Sequence, residues 1–446
     1  MKIKELKRTV NMSWSPAEHY PTMLVTGSAA QQVDASFSTN SYLELHSLNL
    51  GEPSLDLEVK ASIQTKHKFQ KLVWSGAGVI VGGCDGGLLE FYSADKLLNS
   101  ASDALVGSSS KHSGNVSALD INPYQKNLLA SGASESEIFI WDLNNTSQPM
   151  APGNKNQPYD HVQGLAWNQQ VQHILGSTFA TRCLVWDLRK NEPIMKLSDG
   201  QSRTRWRALA WHPRVATQLC VASEDDQAPV VQLWDLRLAA SPLATLEGHE
   251  KGALALSWSR HDPDLLLSAG RDGRLLAWNP NNTKPGGELL LELSRQAAWV
   301  FDVAWAAREA GLLAAASFDQ TLALHTLLAS SRPMVRRARD AQCLGLLHSQ
   351  ISKLFIYKNL VIRVKRKTSY CRVKGDAATD QNERFSWFFL RANFLPSYRS
   401  EILNLLGKRV GDRSTGFVAP KTLLPVFGLC ISKPAVGWLS RHRSAS

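Results

Sequence analysis

A unit of about 46 residues recurs seven times along the first three quarters of this 446-residue chain and then stops. Each unit pairs an inward-reading apolar anchor with a second aromatic or His farther on: Trp167 with Trp186, Trp211 with Trp234, Trp258 with Trp278, and Trp305 with His325. Working backwards, Ile121 stands with Trp141, Trp74 with Tyr92, and Trp14 with His46. The anchors are 60, 47, 46, 44, 47 and 47 residues apart, which is the period of a four-stranded propeller blade carrying WD-type repeats. One such sheet cannot bury its own faces, whereas neighbours stacked around a ring bury each other's. The expected fold is all-β, a seven-bladed WD-repeat β-propeller, which presents loops and rims for contacts and more often binds than catalyses.

Blade logic is clearest between Gly248 and Trp278. The runs ALALSW, LLLSAG and RLLAWN read as strands separated by the turn signals HDP and RDG, where Asp-Gly supplies the positive φ that a tight hairpin requires. His249, Ser268, Asp272 and Trp278 stand at the spacing of the hydrogen-bonded tetrad of WD blades, in which Asp holds the His ring and His reaches Ser and Trp. The same residue types resemble a hydrolase triad. The set recurs in weaker form at His112, Ser131 and Trp141, as a repeated brace does and a single active site does not.

Most Trp residues fall in the repeating positions and read as core. Trp206 and Trp299 fall outside them, the first flanked by Arg203, Arg205 and Arg207 and the second preceded by Arg295, so Arg205, Trp206, Arg207 and Trp299 are the candidate rim contacts. The glycines of GGCDGG at 82–87 precede a strand rather than a helix and read as a hairpin turn, not a phosphate cradle. No metal-ligand cluster, catalytic carboxylate frame or cofactor motif is seen, and no cofactor is expected.

A ring must close without leaving sheet edges open. The unit after Trp305 has three clear strands, around VFDVAW, LLAAAS and TLALHTL, so the fourth is expected from the N-terminal run KIKELKRT. That sets the expected domains at 1–330 for the propeller and 331–446 for a basic tail of irregular, poorly ordered structure.

The formal net charge of +11 invites a nucleic-acid reading, but its distribution argues otherwise. Residues 331–446 hold 22 Lys+Arg against 6 Asp+Glu, leaving 28 against 33 in residues 1–330, a net of +16 against −5. Without interleaved stacking motifs in the tail, no nucleic-acid partner is expected. The polar start MKIKELKRTV lacks the apolar core of a signal peptide, and no run reaches the roughly 18 to 20 apolar residues that span a bilayer, so a cytosolic location is expected. The six cysteines are far apart with no CxxC pair, which points to free, mostly buried thiols.

Several segments are more specific than a generic WD repeat: WSPAEHYPTMLVTGSAAQQVDASFSTNSYLELHSL near the start, then GASESEIFIWDLNN, AWNQQVQHILGS, VWDLRKNEPI, LAWHP with VASEDDQAPVVQLWDLR, and AASFDQTLALHTL. Together they closely resemble the N-terminal propeller of the larger subunit of the COPII outer coat, over residues 1 to about 328. The resemblance implies a scaffold in vesicle transport from endoplasmic reticulum to Golgi, without enzymatic chemistry. It implies other outer-coat propellers at cage vertices as partners, and peripheral residence at exit sites and coated vesicles, on the cytosolic side of the membrane. In that family a β segment that completes the ring of the smaller outer-coat subunit, a dimerising solenoid and a Pro-rich stretch follow the propeller.

The likeness stops after Ser330. The remaining 116 residues hold five Pro and no visible repeat, and read as an alternative C terminus in which contact with the smaller subunit is not expected. The tail's VIRVKRK, near Phe385, Trp387, Phe388 and Phe389, is either a membrane-touching segment or an unstructured extension. A different functional class is also open: WDLR occurs twice, ending at Arg189 and Arg237, and paired WDxR motifs mark substrate receptors of cullin-type ubiquitin ligases. The alternative for both arginines is a strand-end surface charge.

Overall fold

A computed structural model describes residues 1–30, 40–49, 54–101, 103–154, 160–198, 204–282 and 288–327. These form seven four-stranded antiparallel sheets arranged as a seven-bladed β-propeller. The innermost strand of each blade ends on one anchor: Val10–Trp14, Phe69–Trp74, Ala118–Ile121, Gly164–Trp167, Trp206–Trp211, Ala253–Trp258 and Val300–Trp305. These strands pack side by side around a central channel.

The sequence period has a simple geometric origin. Anchor and second aromatic lie on one rung of the sheet, on either side of an aliphatic residue in the second strand. The rungs are Trp14–Leu24–His46, Trp74–Ile80–Tyr92, Ile121–Leu129–Trp141, Trp167–Leu175–Trp186, Trp211–Leu219–Trp234, Trp258–Leu266–Trp278 and Trp305–Leu313–His325. The central Leu or Ile is completely buried in all seven, a contribution of about 1.5–3 kcal/mol each.

The anchors do more than fill volume. Indole Nε1 of Trp14, Trp167, Trp211 and Trp305 donates to the backbone oxygen of Ala304, Asp120, Ala166 and Ser257 in the preceding blade, at 3.0, 3.2, 2.9 and 3.1 Å. These four Trp therefore join neighbouring sheets as well as packing between them, whereas Trp258 Nε1 donates within its own blade, to Pro263 O at 2.8 Å. Ile121 has no such donor, and the Trp74 Nε1 is buried with no partner among the described residues.

The ring closes through its two ends. Lys2–Leu6 adds as the outer strand beside Thr321–Thr326, antiparallel, with Lys2 opposite His325 and Leu6 opposite Leu322. The N-terminal ammonium donates to Thr326 O at 2.9 Å, and Arg308 Nε to Ala17 O at 3.1 Å. Inside the channel, Lys71 Nζ reaches past the first blade to Asp302 Oδ1 of the last, at 2.8 Å.

Turn chemistry follows the sequence. Gly273 of the RDG turn has φ of 73°, and a Cβ there would sit 2.4 Å from Gln296 O. In the GGCDGG run, Gly86 and Gly87 adopt φ of 65° and 79° in the turn between two strands of the second blade. Cys84, Cys183 and Cys220 are free, buried thiols, and burial pushes the Cys183 thiol up to about 12. Cys343, Cys371 and Cys430 lie outside the described residues, as do Arg203 and the VIRVKRK segment.

Candidate functional site

The tetrad forms as a continuous chain of hydrogen bonds from Asp272 to Trp278. His249 Nδ1 lies 3.0 Å from Asp272 Oδ2, His249 Nε2 lies 2.6 Å from Ser268 Oγ, and Trp278 Nε1 donates to the same Ser268 Oγ at 2.7 Å. Burial alone would raise the Asp272 carboxyl, but the His249 ring and the backbone amides of Glu250 and Arg274 hold it below the usual carboxylate range. Ser268 is fully buried and its oxygen already serves two nitrogens, so it stands as the core of a brace and not as a nucleophile open to substrate.

The third blade repeats the arrangement with one exchange. His112 Nε2 and Trp141 Nε1 each meet Ser131 Oγ at 2.7 Å, and Glu137 Oε2 takes the carboxylate place 3.3 Å from His112 Nδ1. Elsewhere it survives in part, as Trp186 Nε1 donating to Ser177 Oγ at 2.9 Å and Thr26 Oγ1 against His46 Nε2 at 2.9 Å. Glu137 went unrecognised in the sequence because it stands six residues after Ser131, whereas Asp272 stands four after Ser268. Replacing Asp272 by Ala strands the buried His249 ring and is expected to lower stability by about 1–3 kcal/mol. Denaturant unfolding checks this, and an unchanged unfolding midpoint would contradict the brace.

The rim residues separate. Trp206 is buried, with its ring centroid 5.7 Å from that of Trp234 in an edge-on contact, and so is not available as a rim contact. A bulge between Trp206 and Ala208 turns the side chain inward. Its place, five residues before the anchor, is held in other blades by Phe69, Val116, Val162, Ala253 and Val300, all completely buried. That offset was readable in the sequence, and the flanking arginines obscured it. Arg205 and Trp299 stand one residue earlier, six before their anchors, and reach the surface: the Arg205 side chain is 61% exposed and Trp299 is 45% exposed. Arg207 is half-buried and donates to Gln163 Oε1 at 2.6 Å.

Both WDLR arginines lie at strand ends, clamped by their own aspartates. Arg189 Nε and Nη2 meet the two Asp187 oxygens at 3.0 and 2.7 Å, and Arg237 meets Asp235 at 3.0 and 2.6 Å. Among the described residues no group of three His, Cys, Asp or Glu is placed to hold a metal ion, and no helix is long and apolar enough to cross a membrane.

A family model described as WD domain, G-beta repeat matches residues 104–142 and 240–279. The chain is 47% identical over 347 residues to protein transport protein Sec31A of Homo sapiens, covering 76% of this chain and 28% of that protein. The propeller belongs to the Sec31 family. A Sec31 protein of Mycosarcoma maydis is 38% identical over 364 residues, covering 74% of this chain and 25% of that protein. Among solved structures, one described as "COPII on membranes, outer coat vertex" has a TM-score of 0.67 at 35% identity, covering 74% of this chain and 87% of that chain. The chain thus spans between a quarter and a third of the length of these Sec31 relatives.

Proposed function

We propose that this chain is a structural scaffold component of the COPII coat in transport from the endoplasmic reticulum to the Golgi, acting through propeller-mediated contacts and without chemistry of its own. The observation that carries this reading is the likeness to an outer-coat vertex chain, which extends over 87% of that chain at 35% identity. Residues 1–330 act as the contact domain, and residues 331–446 form a separate basic region. Its partners are other outer-coat propellers at cage vertices, and its membrane association is peripheral, on the cytosolic side at exit sites. The seam chemistry supports this role: a ring that closes on its own N terminus is a rigid body whose rims meet neighbours at fixed angles.

Single vertex contacts of this kind are weak, and assembly gains strength when several act on one rod, where linkage raises avidity by about 10² to 10⁴. Recruitment through the propeller alone is therefore expected to be partial. A fluorescent fusion of the chain should show exit-site puncta, marked by other coat subunits, above a diffuse pool. Puncta that persist elsewhere after the coat is dispersed, or a wholly diffuse signal, would count against the reading.

A further inference from the structure

The closing seam of the ring, where the last blade meets the first, differs from the other six interfaces. Its inner strands, Val300–Trp305 and Val10–Trp14, approach each other less than any other neighbouring pair. Its buried core is thin on the last blade's side, where three of six apolar residues, Ala306, Ala314 and Ala316, are alanines and bring little area to the contact. The two blades that flank it bury His46 and His325 in the rung position where the other five bury Trp or Tyr. At the outer rim the seam is well fastened. From the strand Lys2–Leu6, Glu5 N donates to Leu55 O of the first blade at 2.6 Å and Lys4 Nζ to Ser54 O at 2.7 Å.

On the inner side, the Trp14 indole bond to Ala304 O is joined by a contact inside the channel. Lys71 and Asp302 both stand three residues before their anchors, and their 2.8 Å pair runs past the first blade's inner strand. At the same offset on that strand, Asn11 gives its Nδ2 to Phe69 O of the second blade at 2.6 Å. The other four blades carry Ala118, Gly164, Ala208 and Ala255 there, too short to bridge the channel. Asp302 is buried and its Oδ2 has no partner among the described residues, so its charge is balanced through Lys71. Asp120, which also lines the channel, is already held by the amides of Ile121 and Trp167 at 2.9 and 2.7 Å. The first blade is thus tied directly to the second, and the last blade is tied to the second around it.

We infer that the Lys71–Asp302 pair is an internal latch: it clamps the last blade to the second across the first, and its release lets the ring open at the seam while the other blades stay folded. Proteins open locally where packing is thinnest, in units smaller than the whole fold. The alanine-lined seam is that place here, and the latch sets how much of the population holds the closed ring with its rims at fixed angles.

Thiol labelling of the full chain tests this, because buried cysteines in distant blades report on the rest of the ring. Ala314 is completely buried at the seam, and Cys183 and Cys220 are completely buried in the fourth and fifth blades. The Ala314→Cys chain is treated with iodoacetamide under native conditions, and each site is read by peptide mass spectrometry. Position 314 should be alkylated roughly tenfold faster than Cys183 and Cys220. Adding Lys71→Met, which strands a buried carboxylate, should speed position 314 by a further factor of roughly ten and leave the two distant thiols unchanged. Asp302→Asn should act in the same direction but less, because a neutral amide is cheaper to leave unpaired than a carboxylate. Ala316→Cys probes the same seam independently and should follow position 314. Labelling at the seam no faster than at Cys183 would overturn the inference, as would acceleration shared equally by all three thiols or none at the seam in either latch variant.

Discussion

Deleting residues 1 to 7 is expected to turn a soluble ring into an aggregating one. The deletion removes the strand Lys2–Leu6, the ammonium bond to Thr326 and the half-buried Ile3 and Leu6 packed against the last blade. About four ladder hydrogen bonds at about 1 kcal/mol each, together with the lost apolar cover, amount to about 5 kcal/mol, comparable with the whole stability of a marginal domain. It also leaves Thr321–Thr326 as a bare edge, which templates pairing with other chains. Light scattering after size exclusion, with a thermal melt, measures both effects. A peptide of residues 1–10 added in trans should restore part of the loss, whereas a shortened chain that stays monomeric with an unchanged melting temperature would mean that the ring closes in another way.

The second large effect concerns acid. His46 and His325 are both buried, and burial pushes both rings down to about 4. At His46 the Glu44 carboxylate opposes that shift and Arg8 adds to it; at His325 the N-terminal ammonium and Lys2 add to it. The folded rings stay neutral while the unfolded chain takes up protons near 6.5. The stability they contribute is therefore intact above about pH 6.5 and is lost as pH falls towards 4. Asp120 acts in the opposite direction: burial raises its carboxyl to about 6, so acidification through that range relieves a cost. From pH 7 to pH 5 the rings lose about 4 kcal/mol or slightly less and Asp120 returns about 1 or slightly more, a net loss of about 2–3 kcal/mol.

His325 is the sharper probe, because neither ring nitrogen has a hydrogen-bond partner among the described residues. In the equivalent rung position five other blades carry Trp or Tyr, and only the first carries His, at His46. His325→Phe should raise stability by about 1 kcal/mol at pH 7 by removing stranded polar atoms, and the gap should widen to about 3 kcal/mol at pH 5. Urea unfolding at the two pH values tests this, and parallel losses in parent and variant would exclude His325 from the acid response.

Much of this architecture was legible in the chain because one rung of a sheet repeats in space and therefore in sequence. Anchor and second aromatic were visible as large residues at a fixed period. The Leu or Ile between them was not, since an aliphatic residue in a strand attracts no notice until its two neighbours are placed. The His249 brace was readable because all four of its residues are present, and its relative at His112 was incomplete without Glu137. Trp206 went astray because charge on both sides suggested surface, while a single bulge decided its direction. Arg205 and Trp299, six residues before their anchors, reach the surface by the same positional rule.

Flotation with a reconstituted coat bears most directly on the scaffold role. Liposomes carrying a COPII coat, and bare liposomes of the same lipids, are each incubated with the purified chain and floated through a density gradient. The chain should rise with coated liposomes in proportion to the outer coat present, stay behind with bare ones, and be displaced by excess full-length Sec31A. Equal flotation with bare liposomes, or none with coated ones, would contradict a propeller that works through coat contacts.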